Sequence, residues 1–108
     1  MVEKSTDNRL IMEIVQKYVE KICENYNVYA IILFGSYAKG TEHEDSDIDI
    51  AIITDDIEND IFEEELNLMR LRRKIDTRIE PHLIRIEDYK NVETPLIREI
   101  IDTGIKVA

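Results

Sequence analysis

The chain has 108 residues, 44% of them hydrophobic, which suits a single domain built around one core. Its net charge of −10 disfavours a long nucleic acid as partner, because phosphate backbones bind clustered Lys and Arg. Cys23 is the only cysteine, so an internal disulfide is excluded. With no apolar leader and no membrane-length apolar run, the sequence predicts a cytoplasmic protein without a membrane partner. Cys23 follows Ile22 in a helical pattern, and we expect it to pack in the core.

The first predicted element is a helix that begins near Asp7 or Asn8, either of which can cap it. One apolar stripe at helical spacing predicts its buried face: Leu10, Ile11, Ile14, Val15, Tyr18, Val19, Ile22 and Tyr26. The next segment, 28–34, is short, β-branched and almost wholly apolar. This pattern predicts a strand that is covered on both faces and ends at Gly35.

The turn after this strand is suited to binding an anion. Gly35 allows the backbone to turn sharply, and Ser36 can cap a short helix that runs to Lys39. Free N–H groups at a helix start, together with the Ser36 hydroxyl, suit a polyphosphate. Lys39 can reach a phosphate, although a solvated lysine is an equal alternative. His43, in the acidic loop that follows, is expected to be a solvated loop residue.

A second strand is predicted over 46–54, where Ile-rich alternation surrounds two carboxylates. Successive side chains in a strand alternate between faces, so Asp47 and Asp49 share one face. Like charges this close disfavour each other unless a cation lies beside them. Magnesium is the natural candidate, because it prefers hard oxygen ligands and substrate phosphates.

Three further elements complete the predicted fold. Segment 57–75 predicts a helix with acidic residues early, basic residues late and an apolar stripe of Ile61, Phe62, Leu66, Met69 and Ile75. Segment 77–86 alternates as a strand, and Pro81 favours an edge or a bulge. Segment 93–107 predicts a short helix with Pro95 in its first turn and Gly104 at its end, with room for a last short strand. The order predicts an α/β or α+β fold: one domain over 1–108, a small mixed β-sheet packed by helices.

The stretch "GSYAKGTEHEDSDIDIAI" resembles the signature of the DNA polymerase beta-like nucleotidyltransferase superfamily: Gly-Ser, ten residues, then Asp-x-Asp. The alternative is a surface loop between two core strands. The resemblance implies the nucleotidyltransferase fold and a transfer in which two Mg²⁺ ions, bound by Asp47 and Asp49, act on a nucleoside triphosphate. Gly35, Ser36 and Lys39 would hold the triphosphate.

The family site normally includes a third carboxylate on a neighbouring strand. We expect this to be Glu80, because it alternates with Ile79 and Leu83 on an otherwise apolar strand; Asp76 is the second choice. A surface ion pair is the alternative role for Glu80. Two roles are equally compatible with His82: contact with substrate, or coverage of the strand. Arg78 is a candidate for balancing the charge at the site.

The chain most resembles the minimal nucleotidyltransferases, MNT proteins, which are commonly paired with a small all-helical HEPN toxin of RNase type. This resemblance implies that AMP is transferred from ATP to a tyrosine of the HEPN partner, with the MNT protein as antitoxin. The acidic charge suits a basic partner. Two alternatives remain: a binding module that neutralises its partner by complex formation, and a small-molecule nucleotidyltransferase. The edges of so small a sheet also allow a homo-oligomer.

Overall fold

The computed structural model describes residues 2–40, 46–58, 60–91 and 94–108, with side chains from Arg9 onward. Its helices are α1 (Val2–Asn25), α2 (Ser36–Lys39), α3 (Ile61–Leu71), α4 (Ile86–Asn91) and α5 (Pro95–Thr103), and a 3₁₀ turn (Arg72–Lys74) extends α3. Its strands are β1 (Ala30–Phe34), β2 (Ile48–Ile53), β3 (Ile79–Ile84) and β4 (Ile105–Lys106). The predicted α+β class is confirmed as one small domain with a mixed sheet.

The four strands form one sheet in the order β3-β2-β1-β4. Strand β1 is antiparallel to both β2 and β4, whereas β2 and β3 are parallel and are joined through α3. Strand β3 therefore lies at an edge, which agrees with the expectation from Pro81. This parallel pairing places the starts of β2 and β3 side by side, next to the point where β1 ends.

Both faces of the sheet are covered, as the apolar sequence of β1 predicts. Ile31 and Leu33 pack in a cluster with α1 and α3, and we call this side the α1/α3 face. Ile32 and Phe34 pack in a second cluster with α4 and α5, on the α4/α5 face. In β2 the isoleucines at 48, 50 and 52 belong to the first cluster, whereas Ala51 belongs to the second. Alternation therefore puts Asp49 on the α4/α5 face.

Two predictions about α1 are wrong. The helix already includes Val2, so Asp7 and Asn8 lie within it and neither is its cap. No glycine or proline interrupts this stretch, so the helix continues toward the chain start beyond the apolar stripe. Cys23 is exposed rather than packed. The neighbouring Ile22 is fully buried, and successive helix positions differ by about 100° of rotation, which turns Cys23 outward.

The apolar stripe predicted for segment 57–75 is wrong within α3, although Ile75, beyond the helix, is partly buried against the core. Its buried residues are Glu64 and Leu68, whereas Ile61, Phe62 and Leu66 are exposed. Two tyrosine hydroxyls hold α3 in this rotation. Tyr18 of α1 donates to the Leu68 carbonyl at 2.7 Å, and Tyr26, just after α1, donates to Glu64 at 2.7 Å. The spacing of apolar residues alone does not predict these hydrogen bonds, and so it does not predict which face of α3 is buried.

Helix α4 covers residues that sequence reasoning assigned partly to the preceding strand and otherwise left without an element. The end of the chain follows the prediction: Thr94 caps α5, Pro95 opens it, and Gly104 precedes β4. None of the helices in the described ranges is long and apolar enough to cross a lipid bilayer.

Candidate active site

The turn after β1 is held open by a glycine that no other residue can replace without strain. Gly35 has φ +79°, a conformation that side-chain-bearing residues rarely adopt. A Cβ atom built on Gly35 would lie 2.5 Å from Oδ2 of Asp49, well inside van der Waals contact. The first glycine of the Gly-Ser motif therefore gives the Asp49 carboxylate its space, and the two halves of the motif meet in the fold.

The sheet register brings the predicted carboxylates to neighbouring positions. Asp49 pairs with Phe34 of β1 on one side and with Glu80 of β3 on the other. Residues paired across adjacent strands share a face, and the strands are about 4.8 Å apart. Asp47 is exposed and immediately precedes β2, where the ladder starts with the Ile48 N–H bonded to the carbonyl of residue 78 at 2.8 Å. The register thus places Asp49 beside Glu80 near the starts of two parallel strands, with Asp47 just before β2.

His82 contacts Asp49 directly. Its Nε2 lies 3.2 Å from Asp49 Oδ1, and both side chains are about one quarter exposed. The imidazole also packs edge-on against Phe34, with ring centroids 5.1 Å apart. Sequence reasoning left His82 open between a role at substrate and coverage of the strand; the structure places it beside the predicted metal ligand.

Arg72 approaches Glu80 and was not among the residues singled out from the sequence. Its Nη1 lies 4.0 Å from Glu80 Oε2 and donates to the carbonyls of Thr77 at 3.0 Å and Ile79 at 2.7 Å. These bonds fix the guanidinium at the start of β3. In the sequence Arg72 was one of several basic residues at a helix end, so composition gave no signal that separated it from its neighbours.

Asp76, the second choice for the third carboxylate, is already engaged. Its two oxygens accept from Arg78 Nε at 3.1 Å and Nη2 at 2.9 Å, and Oδ1 also accepts from the Arg78 backbone N–H at 2.8 Å. The side-chain hydrogen bonds from Arg78 are the main cause that holds the pKa of Asp76 below its usual range, against the opposing effect of burial. Arg78 therefore balances Asp76, and Glu80 rather than Asp76 is paired with Asp49.

Ser36 does not cap α2, contrary to the prediction. It is the first residue of the helix, and Gly35 occupies the cap position without a side-chain bond. The four-residue helix is closed by the Lys39 N–H on the Gly35 carbonyl at 3.0 Å. Lys39 Nζ lies 3.9 Å from Glu99 Oε2 of α5, and both side chains are more than two fifths exposed. Such an exposed pair contributes little stability and does not fix the ammonium. His43 lies outside the described residues.

The donor atoms fit magnesium, but they do not form a closed cage. Asp47, Asp49 and Glu80 offer only hard carboxylate oxygens, and the missing Cβ of Gly35 leaves room for the Asp49 carboxylate itself. Within the described residues, no three acidic or histidine side chains lie close enough together to form a ready-made metal site. A cation at this place would need further ligands, such as the phosphates of a substrate.

Comparison with known proteins gives the class. Residues 16–108 match the family described as polymerase beta, nucleotidyltransferase. A protein of Methanocaldococcus jannaschii named as a putative protein adenylyltransferase, MJ1379, is 35% identical over 95 residues, covering 88% of this chain and 91% of the relative. The chain therefore belongs to the polymerase beta nucleotidyltransferase family, and it is a nucleotidyltransferase.

Three further similarities follow, one to a named adenylyltransferase and two to crystal structures of toxin–antitoxin proteins. The protein adenylyltransferase MntA of Shewanella oneidensis is 34% identical over 74 residues; the match covers 68% of this chain but 49% of MntA. A crystal structure of a toxin–antitoxin with AMP-PNP matches with a TM-score of 0.60 and 25% identity, over 94% of this chain and 72% of that one. A crystal structure of a mutant MntA–HpeT toxin–antitoxin, in which a tyrosine is replaced by alanine, matches with a TM-score of 0.61 and 26% identity, over 86% and 70% of the two chains.

Proposed function

We propose that this protein is an antitoxin that transfers AMP from ATP to a hydroxyl of a partner protein, the tyrosine of a small all-helical HEPN-type toxin. The observation that carries this proposal is that the Asp49 carboxylate packs against Gly35, while Asp49 pairs with Glu80 of the neighbouring strand. It joins the phosphate-binding half of the motif to the carboxylate half. The reaction belongs in the cytoplasm, where ATP is available.

Each residue has a defined part in the reaction. The turn at Gly35 and Ser36 holds the triphosphate, and Lys39 contacts its phosphates once it leaves the exposed pair with Glu99. Asp47 and Asp49, with Glu80, would hold Mg²⁺, which would neutralise the phosphate charge and orient substrate and leaving group. The acceptor oxygen bonds to the α-phosphorus as the bond to the bridging oxygen breaks, and pyrophosphate departs.

Glu80 is the residue we assign to the acceptor side. Its strand lies at the sheet edge, where a protein acceptor can approach, and its carboxylate is nearly half exposed. The acceptor hydroxyl loses its proton as it attacks, and Glu80 is placed to accept that proton. Arg72 Nη1 lies 4.0 Å from Glu80 Oε2, on the same side of the strand start.

A protein acceptor is supported by charge as well as by the relatives. An RNase toxin must bind RNA and therefore needs a basic surface. The net charge of −10 on this chain attracts such a basic partner and repels RNA itself. MntA is named a protein adenylyltransferase, and related chains have been solved as toxin–antitoxin complexes, one of them with the ATP analogue AMP-PNP. Those properties are stated for these relatives; for this chain they support the proposal.

The test uses the full chain, Mg²⁺ and the product of the adjacent gene as the candidate partner. ATP labelled at the α-phosphate should label the partner, whereas ATP labelled at the γ-phosphate should not, because pyrophosphate leaves. Asp49→Asn should lower the transfer rate by about 10³-fold through loss of a metal ligand. The matched control, Asp102→Asn on the exposed surface of α5, should keep the rate. Absence of label on the partner with the unchanged chain would overturn the proposal.

A binding module is the second candidate, and the open arrangement of the three carboxylates favours keeping it. In that case the chain would neutralise the toxin by covering it, without chemistry. The double variant Asp47→Asn, Asp49→Asn separates the two functions in a growth assay with the toxin. Full neutralisation by the double variant favours binding, and loss of neutralisation with retained complex formation favours adenylylation.

A further inference from the structure

The side chain beside Asp49 is held by more than one contact. His82 Nε2 lies 3.2 Å from Asp49 Oδ1, while Oδ2 of the same carboxylate occupies the space over Gly35. A carboxylate oxygen accepts hydrogen bonds, so the imidazole nitrogen in this contact carries the hydrogen. The two oxygens of Asp49 are therefore distinguished: Oδ1 faces a donor, and Oδ2 faces the turn that is expected to hold the triphosphate.

The sheet register explains why His82 can reach across to this position. In β3, His82 pairs with Ala51 of β2, two residues after Asp49 on the same face. Ala51 is fully buried and carries only a methyl group, so it leaves room above β2 for larger neighbours. The rings of His82 and Phe34, from the strands on either side, meet over this gap with centroids 5.1 Å apart. The edge-on contact orients the imidazole.

We propose that His82 is a positioning residue for Asp49: it donates a hydrogen bond to Oδ1 and so presents Oδ2 to the cation beside the Gly35 turn. This inference rests on the proposed function, because it concerns the same metal ligand. Ligating carboxylates are commonly oriented by hydrogen bonds of this kind, and losing such a partner typically costs 10- to 100-fold in metal affinity or activity. His82 itself does not touch the reacting atoms.

Metal binding by the full chain without ATP or partner tests the inference directly. Mn²⁺, followed by electron paramagnetic resonance, replaces Mg²⁺ as the probe. His82→Phe keeps a ring against Phe34 but removes the donor, and it should weaken Mn²⁺ binding by about 10- to 100-fold. In the transfer assay, raising the metal concentration should restore most of the rate of His82→Phe, because the chemistry of the bound site is unchanged.

A pair of amide variants separates positioning from packing. The amide nitrogen of His82→Gln can reach the place of Nε2 and should recover at least part of the Mn²⁺ affinity. His82→Asn has the same amide on a shorter side chain and should remain weak. Tyr29→Phe, an aromatic change at the far end of the sheet, is the control and should bind Mn²⁺ as the unchanged chain does. Thermal unfolding of every variant checks that it is folded.

The outcomes are distinct from those of the proposed function. If both His82→Phe and His82→Asn bind Mn²⁺ as tightly as the unchanged chain, or more tightly, while Asp49→Asn loses binding, the role of His82 is wrong and the metal site stands. If Asp49→Asn itself binds Mn²⁺ normally, the proposed metal site is wrong. Weak binding by Phe and Asn with recovery by Gln supports the positioning role.

Discussion

Two carboxylates at opposite ends of the sheet are held in different ways. Glu64 on α3 is 5% exposed, and its Oε1 accepts from the Tyr26 hydroxyl at 2.7 Å and lies 3.5 Å from Asn67 Nδ2. Asp49 is about one quarter exposed; one of its oxygens faces His82 and the other lies over Gly35. Glu64 accepts a hydrogen bond from a tyrosine hydroxyl inside the fold, whereas Asp49 is more exposed, with one oxygen beside a histidine and the other beside the Gly35 turn.

This difference separates an acid that holds the fold from the acid that we propose as a metal ligand. A buried carboxylate stabilises a fold only when hydrogen bonds replace its lost water, and the bonds to Glu64 join the end of α1 to α3. A pocket of about 450 Å³ lies beside Glu64, lined in part by Tyr26, Asn67 and Arg70. This pocket lies away from the proposed metal site. The proposed site rests instead on the Asp49 carboxylate packed beside Gly35.

The largest expected effect comes from filling the space beside Asp49. Gly35→Ala places a methyl group where Asp49 Oδ2 lies and adds backbone strain of about 1–3 kcal/mol at φ +79°. Displacement of a metal ligand by about 1 Å costs on the order of 100-fold in rate, so we expect at least this loss of transfer. The measurements are the transfer rate and the midpoint of thermal unfolding.

Gly40→Ala is the control for steric contact in this substitution. Gly40 also has a positive φ, +77°, but its ψ of 20° is the left-handed helical conformation, whereas the ψ of Gly35 is −149°. A Cβ at Gly40 meets no atom of the described residues within 4 Å. Gly40→Ala should lose less stability than Gly35→Ala, because side-chain-bearing residues adopt the left-handed helical region more readily, and it should retain most of the transfer rate. Equal losses of activity in the two variants would show that strain in the turn, rather than contact with Asp49, accounts for the effect.

The next effect tests the structural end of the comparison. Tyr26→Phe removes the hydroxyl that donates to Glu64, and we expect a loss of about 1–3 kcal/mol in the free energy of unfolding, because the buried carboxylate loses a partner. The transfer rate at a temperature where the variant is folded should not change. Tyr29→Phe, at an exposed tyrosine, should leave the unfolding free energy within about 0.5 kcal/mol. A selective loss of activity in Tyr26→Phe would contradict the division between the two ends.

Local patterns in the sequence were enough for the strands and for the sheet face of Asp49, whereas the role of the acids as metal ligands stays a prediction. Alternation places Asp49 on one face, and Pro81 indicates the edge strand that carries Glu80. What could not be predicted depends on contacts distant in sequence. Glu64 is buried because Tyr26, 38 residues away, bonds to it, and His82 reaches Asp49 because a small residue lies between β1 and β3. Apolar periodicity does not contain these pairings.

Asp76 sharpens the comparison because it lies near the site but is satisfied within the protein. Its bonds to Arg78 hold its pKa below the usual range, so the pair stabilises the fold above the unfolded pKa of about 3.9. That contribution is lost as the pH falls through the lower folded pKa. Asp76→Asn should cost about 1 kcal/mol at neutral pH and flatten the acid side of the stability profile, with Mn²⁺ binding unchanged. Loss of Mn²⁺ binding would place Asp76 among the ligands instead.

The smallest effect is an alkaline one at the Glu64 end. Burial first, and then the hydrogen bond to Glu64, raise the pKa of Tyr26 to about 12. The folded protein then keeps a proton that the unfolded chain loses near pH 10, so stability is full below pH 10 and falls as the pH rises toward 12. Chemical denaturation between pH 8 and 11 should show a shallower fall for Tyr26→Phe than for the unchanged chain. Some fall should persist, because burial also raises the pKa of Tyr18. If stability falls equally steeply with pH in the two proteins, the Tyr26 hydroxyl does not account for the alkaline loss of stability, and its bond to Glu64 is not the reason.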